Sequence, residues 1–398
     1  MPEVYITGVA MTELGKLEED SHQLSVQACS AALRDAGLLP SQMEGVLSTP
    51  TGYMTEPRKF VSQKMADYLG IEGGLMGDVD CGGNSSALAL KMAIDAISLG
   101  NIKSCLVFAA QREIPPAKLR ENPVENIRLI KNANALYDTY QGAFGVIGVI
   151  CFYAMAIQRY MHLYGVKAED IANMAVVLRD HARRHPQAAY RHPLTVDEVL
   201  DSRVISPPIH KLESSMIMDG AAAVVLASRE LVTDTAKAVR VAGLAEAHDA
   251  TSFLPYQGEL ARFPSSERAA ETALSQSGYT IAEVDVAEVY GAFAGTELMV
   301  YEELGFFPRG EAPAAVREGR TTHGGDVLIN PSGGRLSLGH PTYATPLLET
   351  TEIVRQLRGE AGKRQRPEAE VGMVHTEHGM MNGSMVMLLD RRGEEAGD

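Results

Sequence analysis

The chain contains no tryptophan, and only four cysteines occur among its 398 residues. No two cysteines have the spacing of metal ligands, so neither a disulfide framework nor a metal site is predicted. There is no run of about 18 apolar residues, and the N-terminus lacks a basic segment followed by an apolar one. Basic residues are in the minority, with a formal net charge of −15. That charge argues against a nucleic-acid or anionic-membrane surface. Together these absences predict a cytoplasmic protein that binds neither nucleic acid nor membrane.

Strand-like and helix-like patterns alternate through the first 111 residues, in a composition typical of a globular protein (45% hydrophobic, 22% charged). Strands are predicted at residues 4–9, 45–48, 75–79 and 105–110, and helices at residues 21–36 and 84–99. Both helices are followed by a glycine, which favours helix termination. A chain of 398 residues can hold two domains, or two halves that share one layered core. The predicted fold class is α/β.

Between residues 112 and 208 the alternation gives way to helices and loops. Helical patterns cover residues 152–164 and 168–184. This segment is interpreted as an insertion, either a lid over a site or a packing subdomain, because periodicity does not show which helix face is solvated. The histidines at positions 181, 185, 192 and 210 lack metal-ligand spacing and are expected to be solvated loop residues.

An internal repeat relates the two ends of the chain. Residues 219–226 (DGAAAVVL) match residues 382–389 (NGSMVMLL) without gaps, and each stretch is a turn that leads into a buried strand. A glycine-rich loop also precedes a long helix in both parts: DCGGN before residues 85–99, and SGGRLSLGHP before residues 342–357. We therefore predict two similar halves that contribute one loop each to a shared site. The predicted division is residues 1–111 with 209–235 for the first half, 112–208 for the insertion, and 236–398 for the second half.

The second glycine-rich loop places His340 between Gly339 and Pro341, just before the predicted helix. Glycine lets backbone approach a ligand closely, and a helix N-terminus presents unpaired N–H groups to negative charge. A histidine held there can donate a hydrogen bond to an oxyanion. The alternative is a turn histidine that caps a backbone group.

Three stretches resemble the thiolase superfamily, in particular its sterol-carrier-protein-X-type branch: residues 330–341 (NPSGGRLSLGHP), 289–311 (VYGAFAGTELMVYEELGFFPRGE) and 215–230 (SMIMDGAAAVVLASRE). The resemblance covers nearly the whole chain. It implies a thiolase fold of five αβαβα layers, a homodimer and an acyl-CoA substrate, with coenzyme A as part of the substrate and no other cofactor. The implied chemistry makes or breaks a carbon–carbon bond next to a thioester.

This chain departs from the family pattern at both cysteine positions. With Ile97 and Gly100 held in register, the nucleophile position falls on Gly83, and Cys81 lies two residues upstream. Cys81 is then either the nucleophile, if the chain is locally shifted by two residues relative to the family, or a small buried apolar residue. The second cysteine, in a His-Asp-Cys-Phe segment, corresponds to Ala292 in Tyr290-Gly291-Ala292-Phe293. The cysteine base of other thiolases corresponds to Glu377.

These substitutions are similar to those of the thiolase-like side-chain aldolases of steroid and bile-acid breakdown. Gly82 and Gly83 match the glycine pair that replaces the nucleophile there, and Tyr290 and Tyr343 match the two tyrosines. Two departures remain: Gly291 stands where that branch has aspartate, and His340 is retained.

A retro-aldol cleavage needs no covalent intermediate, so this resemblance predicts an aldolase. We predict His340 and Tyr343 as donors to a thioester enolate, Tyr290 and Glu377 as the acid/base pair, and His378 as a substrate contact with Gly82 and Gly83. The tyrosines could instead be core residues, and the Glu377–His378 pair ordinary loop residues.

Two other functions are compatible with the sequence. One is a thiolase or acyltransferase that uses Cys81 as its nucleophile. The other is a non-catalytic thiolase-like subunit of a complex. The resemblance also implies that a small partner protein with a zinc ribbon and an OB-fold is plausible.

Overall fold

The computed structural model describes residues 3–51, 59–112, 146, 148–250, 258–379 and 381–391, and these contain twelve strands. They are β1 (Val4–Met11), β2 (Gly45–Ser48), β3 (Leu75–Asp78), β4 (Ser104–Gln111), β5 (Val204–Ser206), β6 (Ile209–His210), β7 (Gly220–Ser228), β8 (Val239–His248), β9 (Val286–Val289), β10 (Leu328–Ile329), β11 (Val371–Glu377) and β12 (Gly383–Asp390). Strands β5 and β6 form a small hairpin, and the other ten form one continuous sheet.

Eleven α-helices lie in the same described residues. They are α1 (Ser21–Ala36), α2 (Val61–Leu69), α3 (Ser85–Ser98), α4 (Ile150–Tyr164), α5 (Ala168–Ala182), α6 (Val196–Leu200), α7 (Pro264–Ser277), α8 (Ala294–Glu303), α9 (Ala312–Arg317), α10 (Gly334–Ser337) and α11 (Thr345–Arg358). Short 3₁₀ turns occur at Pro40–Gln42, Lys211–Glu213, Arg229–Leu231, Ile281–Glu283, Thr342–Ala344 and Gly362–Arg364.

The strand order shows an internal symmetry. The sheet runs β10-β9-β11-β12-β8-β1-β7-β4-β2-β3, so β1, β2, β3, β4 and β7 have β8, β9, β10, β11 and β12 as their equivalents. The pairing directions agree: β4 with β7 and β11 with β12 are antiparallel, whereas β2 with β4 and β9 with β11 are parallel. The two halves meet through a short antiparallel pairing of β1 with β8. The repeated sequences form β7 and β12, which occupy equivalent places, so the predicted repeat is confirmed.

The packing divides into layers around this sheet. Helices α3 and α11 pack against each other, and their buried side chains share one apolar core with strand residues from both halves. A second core joins α1 and α2 to the other face of the first half, and a third joins α4, α5, α7 and α8 to the second half. This arrangement confirms the predicted five-layer thiolase fold.

Local sequence signals explain where the elements end. Asp20 caps α1 in a capping box with Gln23, and Gly37 ends the helix in the left-handed conformation (φ 64°). The helix expected from residue 342 begins instead at Thr345, after a 3₁₀ turn, because Pro346 lies in its first turn, where proline favours helix initiation. Gly359 (φ 75°) ends α11.

Of the predicted insertion, the structure describes residue 112, residue 146 and residues 148–208. Helix α4 packs on α8, and α5 packs on α8, α9 and α10. The expectation of solvated histidines is wrong at two positions, because His181 and His185 are each only 1% exposed. His181 lies within α5, and its Nδ1 is 3.0 Å from the carbonyl oxygen of Asn330. The lid interpretation stays a prediction.

The described residues lack two structural features. They hold no helix with the length and apolar character that crossing a membrane requires. They also hold no group of three or more His, Cys, Asp or Glu side chains arranged to bind a metal ion.

Candidate active site

Tyr290 lies at the carboxyl end of β9 and is only 4% exposed. Its backbone N–H donates to the carbonyl of His375 on the neighbouring parallel strand β11 at 3.0 Å. The guanidinium carbon of Arg335 lies 3.0 Å from the centroid of the phenol ring. Burial raises the pKa of the Tyr290 phenol, Arg335 opposes this, and Glu377 adds to it. The phenol is therefore neutral and buried in the resting protein.

Glu377 is the last residue of β11, and its carboxyl group is buried beside Tyr290. The hydroxyl of Tyr153, from helix α4, donates to the two carboxyl oxygens at 3.0 and 2.8 Å. Gly379 N–H donates to Oε1 at 3.2 Å, and a Cβ built on Gly379 would lie 3.6 Å from the Tyr290 hydroxyl. Phenol and carboxyl group thus converge on one glycine. Burial raises the pKa of Glu377, against hydrogen bonds from Met381 and Tyr153.

His340 is half-buried and clamped by backbone bonds on both sides. Its N–H donates to the carbonyl of Met216 at 3.1 Å, and its carbonyl accepts from Met218 at 3.1 Å. Its ring lies edge-on to Tyr290 with 6.2 Å between centroids. Burial and the charge of Arg335 hold the pKa of His340 well below its usual range, so the ring is neutral. Nδ1 is 2.9 Å from the hydroxyl of Thr345. With that hydroxyl as the donor, Nε2 carries the proton and is the donor nitrogen.

Tyr343 joins the loops of the two halves. Its hydroxyl makes a long hydrogen bond of 3.4 Å to Asp80, at the start of the first glycine-rich loop. Its carbonyl accepts from Ser86 of helix α3 at 2.5 Å. The structure thus brings the loop of the first half next to that of the second, as the internal repeat predicts.

Gly82 and Gly83 press against the backbone that follows β11. A Cβ on Gly83 would lie 2.6 Å from the carbonyl oxygen of Glu377, and one on Gly82 would lie 2.7 Å from that of His378. Gly82 also has a positive φ of 58°. Gly83 N–H already donates to the carbonyl of His378 at 2.8 Å. Position 83 therefore holds no side chain because none fits, and its N–H group is engaged within the protein.

Cys81 lies beside His378, which in turn approaches Glu246. Its Sγ is 3.9 Å from Nε2 of His378, and the same nitrogen is 3.6 Å from Oε1 of Glu246 on β8. Burial lowers the pKa of His378, but hydrogen bonds to Cys81 and Glu246 outweigh it and raise the value to about 9. His378 is thus protonated at neutral pH. Cys81 is neither fully buried nor fully exposed, so it is not the small buried apolar residue of one sequence interpretation.

Known proteins match this chain over nearly its whole length. A model of the thiolase C-terminal domain matches residues 245–391. The chain is 30% identical over 396 residues to an acetyl-CoA acetyltransferase of Methanothermobacter thermautotrophicus, covering 98% of this chain and all of that protein. It is 29% identical to sterol carrier protein 2 of Rattus norvegicus, covering 99% of this chain and 72% of that protein. Among solved structures it resembles one described as the Ltp2-ChsH2(DUF35) aldolase, with a TM-score of 0.84, 27% identity and 98% of each chain covered.

The chain belongs to the thiolase superfamily. The predicted resemblance to its sterol-carrier-protein branch is confirmed, since the chain is 30% identical over 408 residues to sterol carrier protein 2 of Oryctolagus cuniculus, covering 99% of this chain and 72% of that protein. Within this superfamily fold, the candidate residues divide into two groups. We call Tyr290, Glu377 and Tyr153 the phenol side, and Cys81, His378 and Glu246 the thiol side.

Sequence reasoning missed several buried groups of this site. Tyr153 gave no signal because it lies within an apolar helical pattern. Glu246 gave none because it lies in a strand far along the chain from Cys81. Arg335 stands inside the glycine-rich motif that contains His340, and an arginine among small and apolar residues was a usable signal. Glu297 explains Gly291, because a Cβ at position 291 would lie 2.2 Å from the Glu297 carboxyl carbon. The helix carboxyl group fills the space that an aspartate at 291 would need.

Proposed function

We propose that this thiolase-superfamily enzyme cleaves a β-hydroxyacyl-CoA by a retro-aldol reaction through a thioester enolate. One observation carries the proposal. The buried phenol of Tyr290 and the buried carboxyl group of Glu377 converge on Gly379. Position 83, where the family nucleophile would stand, is packed against backbone and has no space for a side chain. The acid/base groups are present and the cysteines that thiolysis uses are replaced. The likeness to the aldolase structure over 98% of the chain supports the same chemistry.

The proposed reaction needs only proton transfers and the breaking of one bond. The phenol–carboxylate pair takes the proton of the β-hydroxyl group, the Cα–Cβ bond breaks, and its electron pair moves to the thioester carbonyl. An aldehyde or ketone leaves, and the acid returns a proton to Cα of the enolate. Hydrogen bonds from neutral His340 and from Tyr343 to the enolate oxygen would each lower the barrier by a few kcal/mol, roughly. No covalent enzyme intermediate forms.

The surroundings of this site are part of the proposal. Coenzyme A enters as part of the substrate, with no other cofactor, and His378, Gly82 and Gly83 line its approach. Residues 112–208 act as the lid, a role supported by the hydrogen bonds that Tyr153 of α4 makes into the site. We propose a cytoplasmic homodimer that works with a small zinc-ribbon and OB-fold partner. The matched Ltp2-ChsH2(DUF35) aldolase is named for two components, which supports a partner.

The proposed function is tested by product analysis on the purified protein, both alone and together with a candidate partner protein. β-Hydroxyacyl-CoA esters with steroid side-chain, aromatic and branched acyl groups are supplied, and the carbonyl product and shortened acyl-CoA are measured. We expect both products in equal amounts, and their loss in Tyr290→Phe. The aldolase proposal is wrong if no ester yields a carbonyl product while coenzyme A-dependent thiolysis of a β-ketoacyl-CoA proceeds. If no acyl-CoA binds, and Tyr290, His340 and Tyr343 tolerate substitution, the chain is a non-catalytic subunit.

The thiol side favours a second candidate function, acyl transfer through Cys81. A partly exposed thiol beside a protonated histidine that a carboxylate orients has the groups of an activated nucleophile. Mass spectrometry after brief incubation with acyl-CoA separates the two functions. An acyl group trapped on Cys81 would favour acyl transfer, whereas activity that survives Cys81→Ala favours the aldolase.

A further inference from the structure

Arg335 is a buried cation beneath the proposed acid/base residue. It is 1% exposed, in the short helix α10, and its guanidinium lies over the ring of Tyr290. Two of its nitrogens donate to Glu349 of α11: Nε to Oε1 at 3.0 Å and Nη2 to Oε2 at 3.2 Å. Its third nitrogen, Nη1, is buried with no hydrogen-bond partner among the described residues. The guanidinium is thus fixed by Glu349 through Nε and Nη2, whereas Nη1 makes no such bond.

The presence of the buried Arg335–Glu349 ion pair requires an explanation. A buried ion pair is often no more stabilising than apolar residues of the same volume, so stability alone does not explain it. Arginine stacks on aromatic rings through its planar guanidinium, and a bidentate carboxylate fixes that plane. The Arg335–Glu349 pair therefore sets both the position of the Tyr290 ring and the charge beside it.

The charged and titratable groups around Tyr290 act in opposite directions. Arg335 from α10 favours loss of the phenol proton, whereas Glu349 from α11 and Glu377 from β11 oppose it, as does burial. Tyr153 from α4 and His340 from the adjacent loop complete the surroundings. Among these neighbours Arg335 is the only permanent cation. It also favours the neutral form of His340, which donates without carrying charge.

We propose that Arg335, held by Glu349, is a positioning residue for Tyr290 that fixes the ring and stabilises the phenolate while the phenol proton is being transferred. This inference rests on the proposed function, because it assumes that Tyr290 exchanges a proton with the substrate. Arg335 itself touches no substrate atom in this proposal. Its effect reaches the reaction through Tyr290.

The experiment removes the pair as a unit in the full-length protein. Arg335→Met with Glu349→Met avoids leaving one buried charge alone. A matched control uses the same helix: Glu352 of α11 forms a second buried pair with Arg364 at 3.0 and 2.8 Å, so Arg364→Met with Glu352→Met tests loss of an ion pair as such. A fluorinated tyrosine at position 290, whose phenol is more acidic than that of tyrosine, reports its ionisation by fluorine NMR without any substrate.

We expect the position-290 phenol to ionise at higher pH in the Arg335/Glu349 variant and at an unchanged pH in the control. The kcat for cleavage should fall by about a hundredfold, with KM nearly constant and little further loss when Tyr290→Phe is added. The inference is wrong if the phenol ionises at an unchanged pH in the Arg335/Glu349 variant. It is also wrong if the loss of kcat in that variant and the loss in Tyr290→Phe multiply fully when the changes are combined. If the double variant does not fold, Arg335→Lys tests the same point, because charge without the planar group should preserve ionisation better than activity. If the wild type cleaves no ester yet the ionisation shifts, the proposed function fails, and only the effect of Arg335 on the ionisation of Tyr290 is retained.

Discussion

Glu377 and His378 are consecutive residues that serve two chemically different groups. The carboxyl group of Glu377 is buried on the phenol side with Tyr153 and Tyr290, where burial raises the pKa of the carboxyl group and of the Tyr290 phenol. The ring of His378 lies on the thiol side, where it is protonated between Cys81 and Glu246. Two consecutive residues thus contribute to two groups of side chains, one on the phenol side and one on the thiol side. The two sides thus surround titratable groups with environments that act on charge in opposite ways, and the variants below test which side the reaction uses.

The largest expected effect comes from removing the hydroxyl group of either candidate tyrosine, Tyr290 or Tyr343. In Tyr290→Phe and in Tyr343→Phe, kcat for retro-aldol cleavage should fall about a hundredfold or more, since each loses a proton donor for the transition state. Steady-state kinetics measures this. Tyr279→Phe is the control, because that hydroxyl bonds Asp390 at 2.8 Å outside the site. Near-normal turnover in both site variants would assign the activity to the thiol side instead.

The second prediction concerns the close contact that separates the two sides. Gly83→Ala places a Cβ against the Glu377 carbonyl at 2.6 Å, so it should destabilise the protein by about 1–3 kcal/mol. Gly77→Ala is the matched control, since its nearest atom would be 3.7 Å away. Thermal unfolding of both variants is measured. Equal melting temperatures would show that the first loop can move away from residues 377–378, leaving room for a side chain at the nucleophile position.

A smaller effect should follow from Tyr153→Phe, which removes the hydrogen bonds to Glu377. Those bonds favour the carboxylate, so without them the pKa of Glu377 rises further. If ionised Glu377 is the base, the acidic limb of the kcat profile moves to higher pH, and kcat at neutral pH falls by roughly tenfold. Tyr160→Phe is a matched control on the same helix, because Tyr160 donates to Glu302 at 2.5 Å away from the site. An unshifted profile would exclude Glu377 as the titrating base.

Sequence reasoning recovered the scaffold better than the site. The repeated strands β7 and β12 and the capped helix α1 are set by local patterns, and their predicted places agree with the structure. The site depends instead on side chains that meet across long stretches of chain, such as Tyr153 with Glu377. Neither periodicity nor spacing reports such a contact, and the burial that makes His340 neutral is a property of the folded packing. Solvated histidines were predicted at 181 and 185 because the packing of α5 against α8 and α10 cannot be deduced from one sequence.

The smallest expected effect tests the thiol side directly. His378→Gln removes the positive charge near Cys81, so alkylation of Cys81 by iodoacetamide at neutral pH should slow by about threefold to tenfold. The peptide containing Cys81 is quantified by mass spectrometry. His248→Gln is the control, because that ring lies 5.0 Å from His378 on the same surface. Equal alkylation rates in His378→Gln and wild type would exclude histidine activation of this thiol.

The same variant has a stability signature whose sign is fixed. The folded-state pKa of His378, about 9, lies above its unfolded value of about 6.5, so the stabilisation is complete below the lower value and lost as pH rises through the upper one. Wild type and His378→Gln should therefore differ most in unfolding midpoint at acidic pH and converge in alkaline solution. If blocking Cys81 leaves retro-aldol cleavage intact while this difference persists, the thiol side contributes to folding and the phenol side to catalysis. If blocking it abolishes cleavage, Cys81 lies close enough to the bound substrate for the added group to interfere with the reaction.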